Sequence, residues 1–321
     1  MKPRHPGRSR ACGALALLLV ATRVGAADFQ VVDAAEFARC VPAGAQVTKL
    51  AGGFQFVEGP VWLPAAGVLV FSDIRQNEMK QWSPAAGVAT FRAPSFHANG
   101  NTLDRAGRLL TCEHSGRRVS RLEQDGTLRT IVDAFEDRRL NSPNDIVERS
   151  DGTLYFTDPT YGLPTDPATK RRIGQEQPGQ FVFRHDPRTG RTDALVRDFV
   201  QPNGLAFSPD EKVLYVADSG APRHIRRFAV AADGSLSGGE VFYAMDAGVP
   251  DGLRVDAAGR VWTSARDGVH IVAPSGALIG KILVPESPAN LCFGGPDGMT
   301  LFITARTSLY AIDVAVTGAA R

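Results

Sequence analysis

A six-bladed β-propeller, all-β with four-stranded blades and a ring closed by an N-terminal strand, is the fold the sequence predicts. Three observations carry that expectation. Of 321 residues, 33 are Gly and 21 are Pro, a turn-rich composition that disfavours a helical chain. Short β-rich runs recur at 69–73, 109–113, 154–158, 214–218, 261–265 and 301–305, as in Leu154-Tyr-Phe-Thr-Asp158. Their starts lie 40, 45, 60, 47 and 40 residues apart, and turn-plus-strand repeats of that length mark a propeller. The sixth unit is short, and the segment 46–51 ahead of the first unit supplies the strand it lacks, which removes an exposed edge.

Each unit follows from local chemistry. Asp104 to Gly107, Asp151-Gly152, Ser208-Pro-Asp210 and Asp256 to Gly259 are turns that each lead into one of the runs. Further strands follow the runs, at 224–230 and 240–245 in the fourth unit and at 268–273 and 278–284 in the fifth. The wide third interval reflects extra chain near 160–179, with Lys170, Arg171 and Arg172, which reads equally as a lid or as a solvated loop. No linker-like stretch divides the units, so 27–321 reads as a single domain.

The first 26 residues read differently. Lys2, Arg4, Arg8, Arg10 and Arg23 flank an apolar run from 14 to 21, and Val24-Gly25-Ala26 offers small residues for cleavage. This is the pattern of a secretory signal peptide, and the run is too short to span a bilayer. Five of the 36 bases lie there, so 31 remain against 34 acids, a net charge of −3. No polybasic patch is left to suggest nucleic acid or anionic lipid, and no later segment suits membrane insertion. The expected location is outside the cytoplasm, periplasmic or secreted. Cys40, Cys112 and Cys292 are too widely spaced for a zinc motif and read as buried apolar residues.

Counting back from the six runs finds Glu58, Asn99, Asn144, Asn203, Asp251 and Asn290 at offsets of 11, 10, 10, 11, 10 and 11 residues. Equal offsets in equivalent blades place these residues in a ring around the propeller axis. Asn-Gly and Asp-Gly are also ordinary turn dipeptides. Asp251, however, already has its blade's turn downstream at 256–259 and is surplus to turn making. Two carboxylates facing one another among several amides repel and resist ionisation unless a cation joins them. An all-oxygen set suits a hard ion such as Ca²⁺ or Mg²⁺.

The motifs Glu58-Gly-Pro-Val-Trp62, Asn141-Ser-Pro-Asn-Asp145, Phe156-Thr-Asp-Pro-Thr-Tyr-Gly162, Pro202-Asn-Gly-Leu-Ala-Phe-Ser-Pro-Asp210 and Pro250-Asp-Gly-Leu253 resemble the regucalcin/gluconolactonase family. With His97-Ala-Asn-Gly100 they look most like its bacterial gluconolactonase branch. The resemblance runs from about residue 54 to the C-terminus. It implies one divalent cation, most naturally Ca²⁺ with Zn²⁺, Mn²⁺ or Mg²⁺ also allowed, on Glu58, Asn144, Asn203 and Asp251. It also implies a lactonase acting on a small sugar lactone such as glucono-1,5-lactone.

The chemistry agrees with that implication. A cation polarises a lactone carbonyl, and a carboxylate beside it accepts the proton of the attacking water. Asp251 is expected in that acid/base role, with Glu58 as a ligand alone. His97, Asn99, Glu113 and His114, at the inner end of the second blade, are expected to bind sugar hydroxyls. No Gly-x-Ser-x-Gly elbow is present to suggest a serine esterase. Two other functions remain open at this stage. One is a non-catalytic binding propeller pinned by a structural cation, and the other is an organophosphate or aryl-ester hydrolase using the same centre. Asp73, Asp158 and Asp218, recurring at strand ends, are expected to be structural.

Overall fold

The computed structural model describes residues 28–319 and the backbone of Thr22–Arg23. The leader expected over residues 1–26 lies outside the described residues apart from that pair. Six antiparallel sheets form the blades of a propeller. Their innermost strands are Val57–Leu63, Ala98–Leu103, Ile146–Glu148, Pro202–Phe207, Leu253–Val255 and Pro288–Gly294. The second strands coincide with the repeated runs, for example Leu154–Asp158 and Val213–Asp218.

Each of those runs opens on consecutive large apolar residues because both of its faces are buried. Leu154 and Phe156 turn toward blade 2, while Tyr155 between them turns toward blade 4. Leu214 and Val216 face blade 3, and Tyr215 and Ala217 face blade 5. The period of two along a strand thus feeds two separate cores. Each of six apolar clusters fills the space between one pair of neighbouring blades, and every blade contributes to two of them. Cys40, Cys112 and Cys292 are buried in three different clusters.

The ring closes as expected. Thr48–Gly52 pairs antiparallel with Ser308–Asp313, Leu309 opposite Ala51 and Ala311 opposite Thr48, and so becomes the fourth strand of blade 6. Thr22–Arg23 pairs beyond it. Two elements go beyond the sequence expectation. Phe29–Val31 adds a fifth strand to blade 5 by pairing with Leu278–Leu283. The helix Ala34–Cys40 follows, capped by Asp33, whose Oδ1 accepts from the amides of Ala35 and Glu36. Its Phe37 and Cys40 pack into the core between blades 5 and 6. Among the described residues, no helix is long and apolar enough to cross a membrane.

Neighbouring blades meet closely at the centre. The amide of Gly100 donates to Asn144 O at 2.8 Å, and that of Gly204 to Asp251 O at 3.1 Å. A Cβ at Gly204 would stand 2.4 Å from Asp251 O, and one at Gly59, where φ is +50°, would stand 1.9 Å from Asn99 O. Glycine at 59 and 204 is therefore required by the approach of the neighbouring inner strand, beyond any turn preference.

Candidate active site

The loops entering three inner strands share one device. Asp73 accepts from the amides of Gln55 and Phe56, Asp158 from Asn141 and Ser142, and Asp218 from Val200 and Gln201. In each blade these amides lie three and two residues before Glu58, Asn144 or Asn203. A carboxylate accepting two amides fixes a loop firmly, so the repeated Asp residues are structural as expected. Hydroxyls one residue earlier stitch the ring. Ser72 Oγ donates to Asn99 O at 2.7 Å and Thr157 Oγ1 to Asn203 O at 2.8 Å.

Above the ring lies a cavity of about 660 Å³, lined by Glu58, Asn99, Asn144, Asn203 and Asp251 together with His97 and His114. Five of the six ring residues and two of the remaining candidates thus meet in one place. Asn290 lies beneath, its Nδ2 donating to Glu58 Oε2 at 2.9 Å and its Oδ1 accepting from Leu291 N. Glu113 lies outside the cavity lining. Its carboxylate is fully buried against Arg92 at 3.2 Å, Arg118 at 2.6 Å and Ser120 Oγ at 2.7 Å, which leaves no oxygen for a sugar.

The cavity also contains residues that sequence reasoning missed, among them Phe56, Arg75, Tyr161 and Ser219. Tyr161 and Gly162 are where the extra chain of blade 3 reaches the site. Lys170 and Arg171 stay exposed, and Arg172 Nη1 is held by Thr165 Oγ1 at 2.7 Å and by Leu163 O.

Charge at the centre is unbalanced. Burial and the neighbouring charge of Asp251 push the Glu58 carboxyl well up. Asp251 meets the cavity along one edge, yet burial still pushes it up to about 7, with Asp145 adding to the rise. Asp145 is raised by burial and held back by Arg254, whose Nη1 reaches it at 3.3 Å. Were all three carboxylates ionised against the one guanidinium, the centre would carry a charge of −2, the complement of a divalent cation. His114 adds no charge, because burial lowers it to about 4. The neutral ring faces Asn99 Nδ2 through Nε2 at 3.1 Å. Burial and the charge of Asp251 raise the Tyr161 phenol.

The oxygens present fit such an ion. Asn203 Nδ2 donates to Ser219 Oγ at 2.9 Å, and Asn203 Oδ1 is buried without a donor. Asn99 Oδ1 is buried without a donor too. An orphaned carbonyl oxygen beside two mutually repelling carboxylates is costly in the absence of a cation. A second cluster, Asp246, Asp267 and His270, also brings its ligand atoms within 4.8 Å of one another. There the Lys281 ammonium already sits on Asp246 at 2.8 and 2.9 Å and on Asp267 at 3.0 Å, so one of the cluster's two negative charges is met.

Residues 56–307 match the family described as the SMP-30/gluconolactonase/LRE-like region. The chain belongs to that family. Two relatives share 34% of aligned residues with it. One is a gluconolactonase of Zymomonas mobilis, aligned over 81% of this chain and 78% of its own. The other is a 6-deoxy-6-sulfogluconolactonase of Pseudomonas putida, aligned over 77% of this chain and 82% of its own. A solved gluconolactonase structure from Xanthomonas campestris superposes with a TM-score of 0.85 at 32% identity, over 92% of this chain and 97% of that one. Like these members of the SMP-30/gluconolactonase family, the chain is a lactone-hydrolysing enzyme.

Proposed function

We propose that the enzyme opens a sugar lactone, glucono-1,5-lactone or a related aldonolactone, to its aldonic acid, with one divalent cation on Glu58, Asn144, Asn203 and Asp251. One contrast carries the reading. Glu58, Asn144 and Asn203 are at most 4% exposed, as ligands that only hold an ion can be, whereas Asp251 opens onto the cavity. The all-oxygen set favours Ca²⁺, with Mn²⁺, Mg²⁺ and Zn²⁺ as alternatives. When bound, the cation supplies Lewis-acid polarisation of the lactone carbonyl.

The chain's own residues do the rest. Asp251 takes a proton from water as its oxygen bonds to the carbonyl carbon. It returns that proton to the ring oxygen as the C–O bond breaks, so no protein nucleophile is consumed. Asn99 uses Nδ2 on neutral His114 and keeps Oδ1 for a substrate hydroxyl. His97, with Nδ1 on Ser115 Oγ at 2.9 Å, lines the cavity and leaves Nε2 for a substrate hydroxyl.

The test is base uptake at constant pH with a panel of aldonolactones, in Ca²⁺, Mn²⁺, Zn²⁺ or chelator. Hydrolysis well above the spontaneous rate, lost with chelator and in Asp251→Asn, is expected. Folded, metal-loaded protein that accelerates none of the lactones would overturn the proposal. We further propose that the chain is exported after cleavage behind Ala26, which N-terminal sequencing of the mature protein checks by finding Ala27 first.

A further inference from the structure

The hairpins joining the second and third strands of blades 5, 6 and 1, three consecutive blades, each carry an arginine: Arg266, Arg306 and Arg75. All three are exposed. Among the described residues, none of them has an ion pair or a hydrogen bond to its guanidinium, and Arg75 lies over the Phe56 ring at 5.6 Å. The contrast with blade 2 is direct, since Arg117 on the corresponding hairpin is spent on Leu140 O at 2.6 Å and on Glu176 at 3.3 Å.

The three arginines converge on the site. Arg75 lines the main cavity. Arg266 and Arg306 line a side chamber of about 290 Å³ that shares Phe56, Val249 and Asp251 with it. Arg75 stands on a short hairpin whose Asn77 accepts through Oδ1 from the His97 amide at 2.8 Å, so its base is fixed between two blades.

A lactone bearing only hydroxyls has no use for three unspent guanidinium groups at the edge of its site. Guanidinium is the side chain whose fork matches carboxylate, sulfonate or phosphate oxygens. We propose that Arg75, Arg266 and Arg306 form a subsite for an anionic group on the substrate, remote from the reacting carbonyl. The preferred lactones are thus acidic sugars, substituted with a carboxylate, sulfonate or phosphate at the far end. This rests on the lactonase reading of the main cavity and adds the substrate class.

The test is equilibrium binding of gluconate and 6-phosphogluconate, two acids that differ only at that far end, to the full-length mature protein. Each exposed guanidinium–anion contact contributes roughly a two- to fivefold change, so wild type is expected to prefer the phosphorylated acid by roughly tenfold to a hundredfold. Arg75→Gln, Arg266→Gln and Arg306→Gln each lower that ratio, and the triple variant, shown folded by its melting curve, brings it to within about threefold of unity. Arg129→Gln, which removes a charge on the outer edge of blade 2, leaves the ratio in place. Raising salt from 0.05 to 0.5 M narrows it, as expected of exposed charges. Equal binding of the two acids by wild type, no measurable binding of 6-phosphogluconate, or a preference that survives in the triple variant overturns the proposal. Discrimination without hydrolysis of any lactone would uphold the subsite and reject the catalytic reading. Hydrolysis without discrimination would do the reverse.

Discussion

Blades 1, 3 and 4 hold their central residue in one way and blade 5 holds its own in another. In the first three, Asp73, Asp158 and Asp218 clamp the loop amides ahead of Glu58, Asn144 and Asn203. In blade 5 the corresponding position is Ala265, and the neighbourhood of Asp251 is held by Ser264, whose Oγ donates to Gly252 O at 3.0 Å and Ala289 O at 2.7 Å. A clamping carboxylate at 265 would add a fourth acid to Glu58, Asp145 and Asp251. A hydroxyl fixes backbone without adding charge. Blades whose proposed part is an inert ligand can use the stronger device. The blade proposed to supply the working carboxylate uses the neutral one.

Four experiments bear on that contrast, in order of expected size. Asp251→Asn should cut kcat by roughly a thousandfold or more, within the range of lost acid–base catalysis, while its melting temperature stays near that of wild type. An equal fall in both would place Asp251 with the structural residues of the other blades. Arg254→Met strands Asp145 as a buried, unpaired acid and should destabilise by about 3–5 kcal/mol in urea unfolding. Asp145→Asn added to it should restore most of the loss.

Asp218→Ala removes the acceptor of the half-buried amide hydrogen bonds of Val200, Gln201 and Gly220. It should cost about 2–4 kcal/mol and weaken metal affinity measured by calorimetry, because Asn203 follows that loop. Unchanged affinity would separate the clamp from the site. The smallest effect concerns pH. His114 is held near 4 in the folded chain against an ordinary value of 6.5, so the unfolded chain binds the extra proton between those limits. Its contribution to stability is full above about 6.5 and is lost as pH falls toward 4. From pH 7 to pH 5 the loss is about 2 kcal/mol. His114→Gln should remove that dependence, seen as a stability difference from wild type that shifts in the variant's favour at pH 5.

Much of the centre was legible because the repeat is regular. A constant offset before each run located Glu58, Asn99, Asn144, Asn203, Asp251 and Asn290, and the recurring Asp after strand two showed its structural part. Of the residues just after each run, His114 was singled out and the others, equally available, went unread. Arg75, Ser219, Arg266 and Arg306 occupy the same hairpin, whose variable length hides the correspondence. Glu113 belongs to the same position as Asp73, and its partner Arg118 faces it directly across the hairpin; that cross-strand pair was a visible sign of a structural acid. The Arg254–Asp145 pair joins residues 109 apart with no common motif. The helix Ala34–Cys40 and the strand Phe29–Val31 occur once, outside the repeat, so no periodicity could announce them.

The seam in blade 6 has a consequence for the order of events in synthesis. Thr48–Gly52 is among the earliest ordered segments to leave the ribosome, yet its partner Ser308–Asp313 is nearly the last. At about 5–20 residues per second, the roughly 260 residues between them take tens of seconds to emerge. Throughout that interval the first strand has no mate, and the blades that have emerged can form only an open arc. The circle becomes a circle only when translation is almost complete, so the enzyme acquires its central site in a single late step.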